Sequence, residues 1–150
     1  MKRFFLLTII LTVVVTGKVG AQEAASASKR ANQQYVLFES ERDKGTNVTA
    51  MYDYLMDSYE NFMKVVEAPD NSQYIGGAKN RLRALYPYLL NGAVYYSEQK
   101  QPSKALDFAA AYIDMPQLKL FRSELLPKDN RYASVVYLSL IHISEPTRPY

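Results

Sequence analysis

The stretch VTAMYDYLMDSYENFMKVV, residues 48–66, decides the fold class. Its apolar residues recur at three- and four-residue spacing, which is typical of one face of a helix. They are Val48, Met51, Tyr52, Leu55, Met56, Tyr59, Phe62, Met63 and Val66. The opposite side carries charged residues, namely Asp53, Asp57, Glu60 and Lys64. The stretch therefore predicts an amphipathic helix that ends near Pro69, since proline has no N–H to continue a helix.

A helix is also predicted before this stretch, over about residues 29–44. Its apolar positions are Ala31, Tyr35 and Phe38. Gly45 suits the left-handed position just after a helix, and Thr46 or Asn47 suits the N-cap of the next one. Asn47-Val-Thr49 also spells a glycosylation sequon, and we interpret it as a helix cap.

Two further helices follow, and the first opens at Gly76-Gly77. Its apolar side is Leu82, Leu85, Tyr86, Leu89, Ala93 and Tyr96. Pro87 lies inside this pattern and predicts a kink, because the stripe continues in phase across it. Pro102 suits the first turn of the next helix, which Met115-Pro116 ends.

The rest of the chain reads as a connector from Leu118 to Pro127, followed by a helix capped by Asp129 or Asn130. Sustained period-two alternation is absent from the sequence, so no strand is predicted. We therefore expect an all-α fold of antiparallel helical hairpins, with a helical-repeat domain over residues 29–137.

The N-terminus has the pattern of a secretory signal. Lys2 and Arg3 precede a short apolar run, and Val19-Gly20-Ala21 provides the small residues of a cleavage site. The run is too short for a membrane span, which needs about 20 apolar residues. We expect a signal peptide over residues 1–21, a flexible leader over 22–28 and no anchor after cleavage, hence export, most simply to a periplasm.

The C-terminal residues 138–148, LSLIHISEPTR, resemble the in-frame translation of a transposase sequencing adapter. We interpret residues 138–150 as derived from that adapter, so that the natural chain would continue beyond Tyr137. The only histidine, His142, lies in this tail.

Charge and composition exclude several function classes for residues 22–137. Removing Lys2, Arg3, Lys18, Arg148 and Glu145 leaves 14 basic and 14 acidic residues, so a general electrostatic case for nucleic acid is absent. The segment has no His and no Cys, which excludes Cys or His nucleophiles and His/Cys zinc sites within it. We predict no catalytic, cofactor or metal site here.

The segment from Leu89 to Pro116 resembles one tetratricopeptide repeat. Gly92 matches the small residue that lets the second helix approach, and Tyr95 or Tyr96 matches the aromatic that fills the groove. Ala105 matches the alanine at the closest crossing, and Pro116 the closing proline. The turn is about one residue longer than in that family and the hairpin spacing is longer. The resemblance implies a solenoid. The Ala21-Gln22 junction is also similar to the leaders of exported Bacteroidetes proteins.

In that family the first helix of each hairpin lines the concave binding surface. Arg81, Tyr88 and Tyr95 recur every seven residues on the third helix, and Asn91 lies between them. The resemblance therefore implies these four as partner contacts. Lys79 and Arg83 join Arg81 in a basic cluster that is either a solvated helix end or an edge for an acidic peptide, lipid headgroup or glycan.

Two functions remain open on the sequence. The first is a non-enzymatic exported scaffold that binds other proteins or envelope components without a cofactor. A protein or peptide is the expected partner, and a glycan is the alternative. The second is the N-terminal helical region of a larger periplasmic enzyme, such as a thiol–disulfide oxidoreductase or hydrolase, whose catalytic domain lies downstream.

Overall fold

The computed structural model describes the backbone of residues 2–127 and the side chains of residues 19–127. The all-α prediction is confirmed in this part of the chain, which contains no strand. The α-helices are α1 (Lys2–Lys44), α2 (Val48–Glu67), α3 (Ile75–Glu98) and α4 (Pro102–Asp114). Two short 3-10 helices follow at Met115–Gln117 and Lys119–Phe121. Among the residues whose side chains are described, no helix is long and apolar enough to cross a membrane.

The start of α1 corrects the expectation of a flexible leader. α1 is continuous through residues 22–28, and Ala24 and Ala27 are buried. Alanine is the strongest helix former, and its short side chain lets a neighbouring helix approach closely. The segment that looks small and featureless in the sequence is therefore part of a packed helix.

The chain divides into two compact units within α3. Unit 1 ends at Leu82 and unit 2 begins at Arg83. Pro87 lies four residues beyond this boundary and has no N–H to donate to the carbonyl of Arg83. α3 nevertheless continues through Pro87 as one helix, and the kink expected there stays a prediction.

In unit 1, α1 and α2 pack antiparallel. Gly20 lies against Pro69, and Ala31 lies opposite Ser58, whose hydroxyl donates a hydrogen bond to the Ala31 carbonyl at 3.0 Å. Both Ala31 and Ser58 are fully buried. The other buried residues of α2 are Tyr52, Leu55, Tyr59, Phe62 and Val65.

The buried side of α2 is rotated slightly from the side that the sequence predicts. Met56 and Met63, at one edge of the apolar stripe, are only half-buried. Ser58 and Val65, which lie on the other edge, are fully buried. The hydrogen bond to the carbonyl of Ala31 explains the serine, because a buried hydroxyl needs a partner.

The connection between α1 and α2 forms as predicted. Gly45 adopts the left-handed conformation with φ of 65°. Asn47 is the N-cap of α2, and its side-chain oxygen accepts a hydrogen bond from the N–H of Ala50 at 3.0 Å. Asn47 thus acts as the cap that the sequence indicates.

Asn71 organises the connection between α2 and α3. Its side-chain amide donates to the carbonyls of Val65 and Val66 at 3.0 and 2.9 Å. Its own carbonyl accepts from the N–H groups of Tyr74 and Ile75 at 2.8 and 2.9 Å. One residue therefore provides hydrogen-bond partners for carbonyl groups at the end of α2 and for N–H groups at the start of α3.

In unit 2, α4 packs antiparallel to the second part of α3. Tyr86 stacks on Tyr112 with ring centroids 4.5 Å apart and planes at 10°. Further along α3, Tyr96 meets Phe108 at 5.4 Å. A Cβ added to Gly92 would lie 2.4 Å from Cδ1 of Phe108, so the ring occupies the space that only glycine leaves.

The turn between these helices uses a residue that sequence patterns do not indicate. Lys100 has φ of 55° and donates its N–H to the carbonyl of Ser97, while Gln101 donates to Tyr96. These two bonds form a Schellman motif. Pro102 then starts α4, as predicted.

The predicted helix from Asp129 or Asn130 to residue 137 lies outside the described residues. So does the predicted adapter-derived tail, residues 138–150, with His142.

Candidate functional site

The four predicted contact residues all lie on α3 and are all partly exposed. The apolar side of the same helix, at Leu82, Leu85 and Leu89, is fully buried. Arg81 belongs to unit 1, whereas Tyr88, Asn91 and Tyr95 belong to unit 2. The three unit 2 residues form a row along α3, the tyrosine row.

Arg81 contacts α1. Its guanidinium carbon lies 4.1 Å from the ring centroid of Tyr35, which is 5% exposed. A cation this close to an aromatic face is attracted by the ring quadrupole, by about 0.5–1 kcal/mol at an exposed site and more when it is desolvated. The arginine is therefore part of the packing of unit 1.

In the tyrosine row, Tyr95 is held in place by a contact with another ring. Tyr95 meets the buried Tyr96 edge-to-face, with ring centroids 5.1 Å apart. Asn91 lies about one turn and Tyr88 about two turns nearer the start of α3, and both are half-buried. Half-buried tyrosines combine a fixed ring with an accessible edge, which is the combination found in protein-binding surfaces.

The side chains of the basic cluster at the start of α3 make intramolecular interactions. Arg83 forms a salt bridge with Glu124, in unit 2. Arg81 rests on Tyr35, and Lys79 also has an intramolecular interaction. The arrangement fits a neutralised helix side better than an open anion site.

A shallow concavity of about 710 Å³ lies along α1. Its lining combines amide and apolar side chains, together with one lysine: Lys29, Asn32, Gln33, Gln34, Val36 and Leu37. Val36 is 61% exposed and Leu37 is 42% exposed. The Oε1 atom of Gln34 is buried without a hydrogen-bond partner among the described residues.

This concavity was missed in the sequence, although a signal is present. Val36 and Leu37 are adjacent apolar residues that flank the stripe of Ala31, Tyr35 and Phe38 rather than lying on it. Apolar residues off the main stripe of a helix predict a second contact side.

The described residues bring together few reactive groups. No group of three or more His, Cys, Asp or Glu side chains within them is arranged to hold a metal ion. The α2 carboxylates Asp53, Asp57 and Glu60 are exposed on the outer side of the helix. This arrangement is typical of a solvated helix surface.

Comparison with known proteins gives no relative. The chain matches no family model, no curated protein and no solved structure.

Proposed function

We propose that this chain is an exported helical-repeat scaffold that binds an extended segment of a partner protein through the tyrosine row. The role is binding rather than catalysis, and it uses no cofactor. The observation that carries the proposal is the combination, in unit 2, of a tightly closed helix pair with partly exposed tyrosines on its first helix.

The closeness of α3 and α4 supports a rigid platform. The ring of Phe108 fits onto the Gly92 backbone, and Tyr86 stacks on Tyr112. Rigid helices present side chains at fixed spacing, so a partner loses little binding energy to ordering the surface. A tetratricopeptide-like arrangement of such pairs would extend this surface along successive hairpins.

The chemistry of the row favours a peptide. Two tyrosines one helical heptad apart offer ring faces to apolar side chains, and Asn91 between them offers a donor and an acceptor to a peptide backbone. Tyrosine is enriched among the residues that dominate interface energies. A glycan would also stack on these rings, and it is the second class to test.

The test uses the full chain and a displayed library of random dodecapeptides. We expect enriched peptides to bind the native protein and to lose about tenfold or more in affinity with the Tyr88→Ala/Tyr95→Ala variant. Tyr54→Ala is the matched control, since Tyr54 is a half-buried tyrosine on α2 in unit 1. It should bind like the native chain.

A large fall in the melting temperature of the double variant would show instead that the tyrosines are core residues, and the proposed site would be abandoned. Enrichment of glycans on an array, with no enriched peptide, would replace the peptide by a sugar. Equal peptide binding by the native chain and the double variant would place the contact elsewhere.

A further inference from the structure

We infer that the outer side of α1 binds the same side of α1 in a second copy of the chain, with the two helices antiparallel and Val36 at the twofold axis. The contact lies in unit 1, whereas the tyrosine row lies in unit 2, so it does not depend on the function proposed above. It is an isologous interface, in which both copies use the same residues.

The centre of this side of α1 is apolar and bordered by amides. Val36 is 61% exposed and its neighbour Leu37 is 42% exposed. Two large apolar side chains next to each other on an outer helix side favour contact with another surface. Asn32 and Gln33, which also line the concavity along α1, are exposed. Amides both donate and accept hydrogen bonds, so such residues can pair with their own copies.

The charges before and after Val36 have opposite signs. Residues 29–35 contain two bases and no acid, and residues 37–43 contain three acids and one base, so the net charges of the two segments are +2 and −2. Lys29 lies seven residues before Val36, and Asp43 lies seven residues after it. Seven residues are about two helical turns, so these three residues share one side of α1. Both charged residues are exposed.

This charge pattern selects the antiparallel orientation. A twofold axis at Val36 places each valine against the valine of the other copy, and each Lys29 opposite an Asp43. A parallel pair would place Lys29 against Lys29 and Asp43 against Asp43, and like charges in contact weaken association. Within its own chain, Asp43 accepts both Arg42 hydrogen bonds at Oδ1, at 2.9 and 3.0 Å. The incoming lysine is therefore expected at Oδ2.

The size of the contact predicts its strength. Residues 29–43 of a helix span about 21 Å, and a helix is about 10–12 Å wide with its side chains. A strip of these dimensions is small beside the roughly 800 Å² per partner of a stable interface. We therefore expect a reversible dimer with a dissociation constant of roughly 10 μM to 1 mM.

The experiment is sedimentation equilibrium of the full chain over about that concentration range. We expect the dimer fraction of the native chain to rise with concentration. Val36→Asp should weaken dimerisation about tenfold or more, because it places two carboxylates at the axis. Val48→Asp is the matched control, since Val48 is also an exposed valine of unit 1, at 41%. This control should dimerise like the native chain.

A charge exchange tests the orientation. Lys29→Asp and Asp43→Lys should each weaken dimerisation by about threefold or more, because each sets like charges opposite one another. The variant that carries both substitutions restores opposite charges in the antiparallel pair, so it should recover the native dissociation constant. A double variant weaker than both single variants would overturn the antiparallel contact.

Cysteine cross-linking gives a second measurement that does not depend on the stability of Val36→Asp. The chain has no cysteine, so Val36→Cys introduces one thiol, which the twofold axis places against its copy. Mild oxidation should yield a disulfide-linked dimer faster than it does for Val48→Cys. Equal rates would indicate random collision and would overturn the inference.

Two further results would also overturn it. A native chain that stays monomeric at every concentration would leave the outer side of α1 to a different partner. A dimer that survives Val36→Asp but is lost in the Tyr88→Ala/Tyr95→Ala variant would place the contact on α3. Because peptide binding is measured separately on that variant, failure of the dimer and failure of the tyrosine row remain distinguishable.

Discussion

The helix pairs of units 1 and 2 reach close approach by different means. In unit 1, α1 meets α2 over small side chains, and a buried hydroxyl links Ser58 to the carbonyl of Ala31. In unit 2, α3 meets α4 over Gly92, and the ring of Phe108 fills the gap. Small residues allow contact in both. Unit 1 adds a fully buried hydrogen bond to a backbone carbonyl, whereas unit 2 combines stacked rings with a longer, part-buried bond of 3.5 Å from Lys104 Nζ to the Tyr96 hydroxyl.

The largest loss of stability is expected at Gly92. Gly92→Ala places a methyl group 2.4 Å from a ring carbon of the buried Phe108. We expect a loss of about 1–3 kcal/mol from overpacking, reduced by the better helix propensity of alanine. Hydrogen exchange should show faster opening of α4, with α2 unchanged.

Gly77→Ala is the matched control for this prediction. Gly77 lies in the same helix, and an added Cβ would meet nothing within 4 Å. It should leave stability unchanged or raise it by up to about 1 kcal/mol. If Gly92→Ala changes the stability no more than this control does, the close packing of Phe108 against Gly92 does not contribute to the stability of unit 2.

The next effect is expected at Ser58. Ser58→Ala removes the bond to the Ala31 carbonyl but keeps the small side chain. The expected loss of unfolding free energy is about 0.5–1.5 kcal/mol, measured by urea denaturation. Ser26→Ala, on the exposed side of α1, is the control and should change little.

If Ser58→Ala leaves the free energy of unfolding unchanged, side-chain packing alone holds α1 against α2. A much larger loss would mean that the bond orders the register of α1 against α2, since helix pairs joined only by small side chains slide more easily.

The smallest changes in stability are expected at the turn after α1 and the turn after α3. Both turns need a residue with positive φ, and the residue differs between them. Gly45 and Lys100 both adopt positive φ, at 65° and 55°. Gly45→Ala should cost about 1 kcal/mol, and Lys100→Gly should gain about 0.5–1 kcal/mol, since only glycine enters this region without strain. Thermal melts of the two single variants and the double variant should give opposite shifts that nearly cancel.

If Lys100→Gly lowers the melting temperature, the lysine side chain contributes more to the turn than its backbone strain costs. The Schellman bonds to Ser97 and Tyr96 would then be secondary to contacts of the lysine itself.

Sequence patterns predicted the parts of this fold that depend on local chemistry. The bounds of α2, the glycine after α1, the Asn47 cap and the Pro102 start follow from spacing and turn residues, and all four are present. The burial of Ser58 and the helical state of residues 22–28 depend on which helix lies opposite. Periodicity within one segment does not contain that information, so these were missed.

The same distinction holds for the candidate site. Seven-residue spacing indicated that the tyrosine row and Arg81 share one side of α3, away from the buried leucines. It did not indicate that Arg81 lies on Tyr35 or that Arg83 pairs with Glu124, because both partners are far away in sequence. The concavity on α1 does not follow from the main apolar stripe of that helix, because Val36 and Leu37 in its lining lie off that stripe.

The double role of Asn71 has a consequence for the chemical ageing of the protein. Asn71 precedes Ser72, and an asparagine before a small residue is a common position for deamidation. Here the amide nitrogen that would be lost is the donor to the carbonyls of Val65 and Val66. Its replacement by a carboxylate oxygen would set negative charge against two carbonyl oxygens at the negative end of α2. Stored samples should therefore lose order first at the joint between α2 and α3, and peptide mapping of Asn71 over time would date that loss.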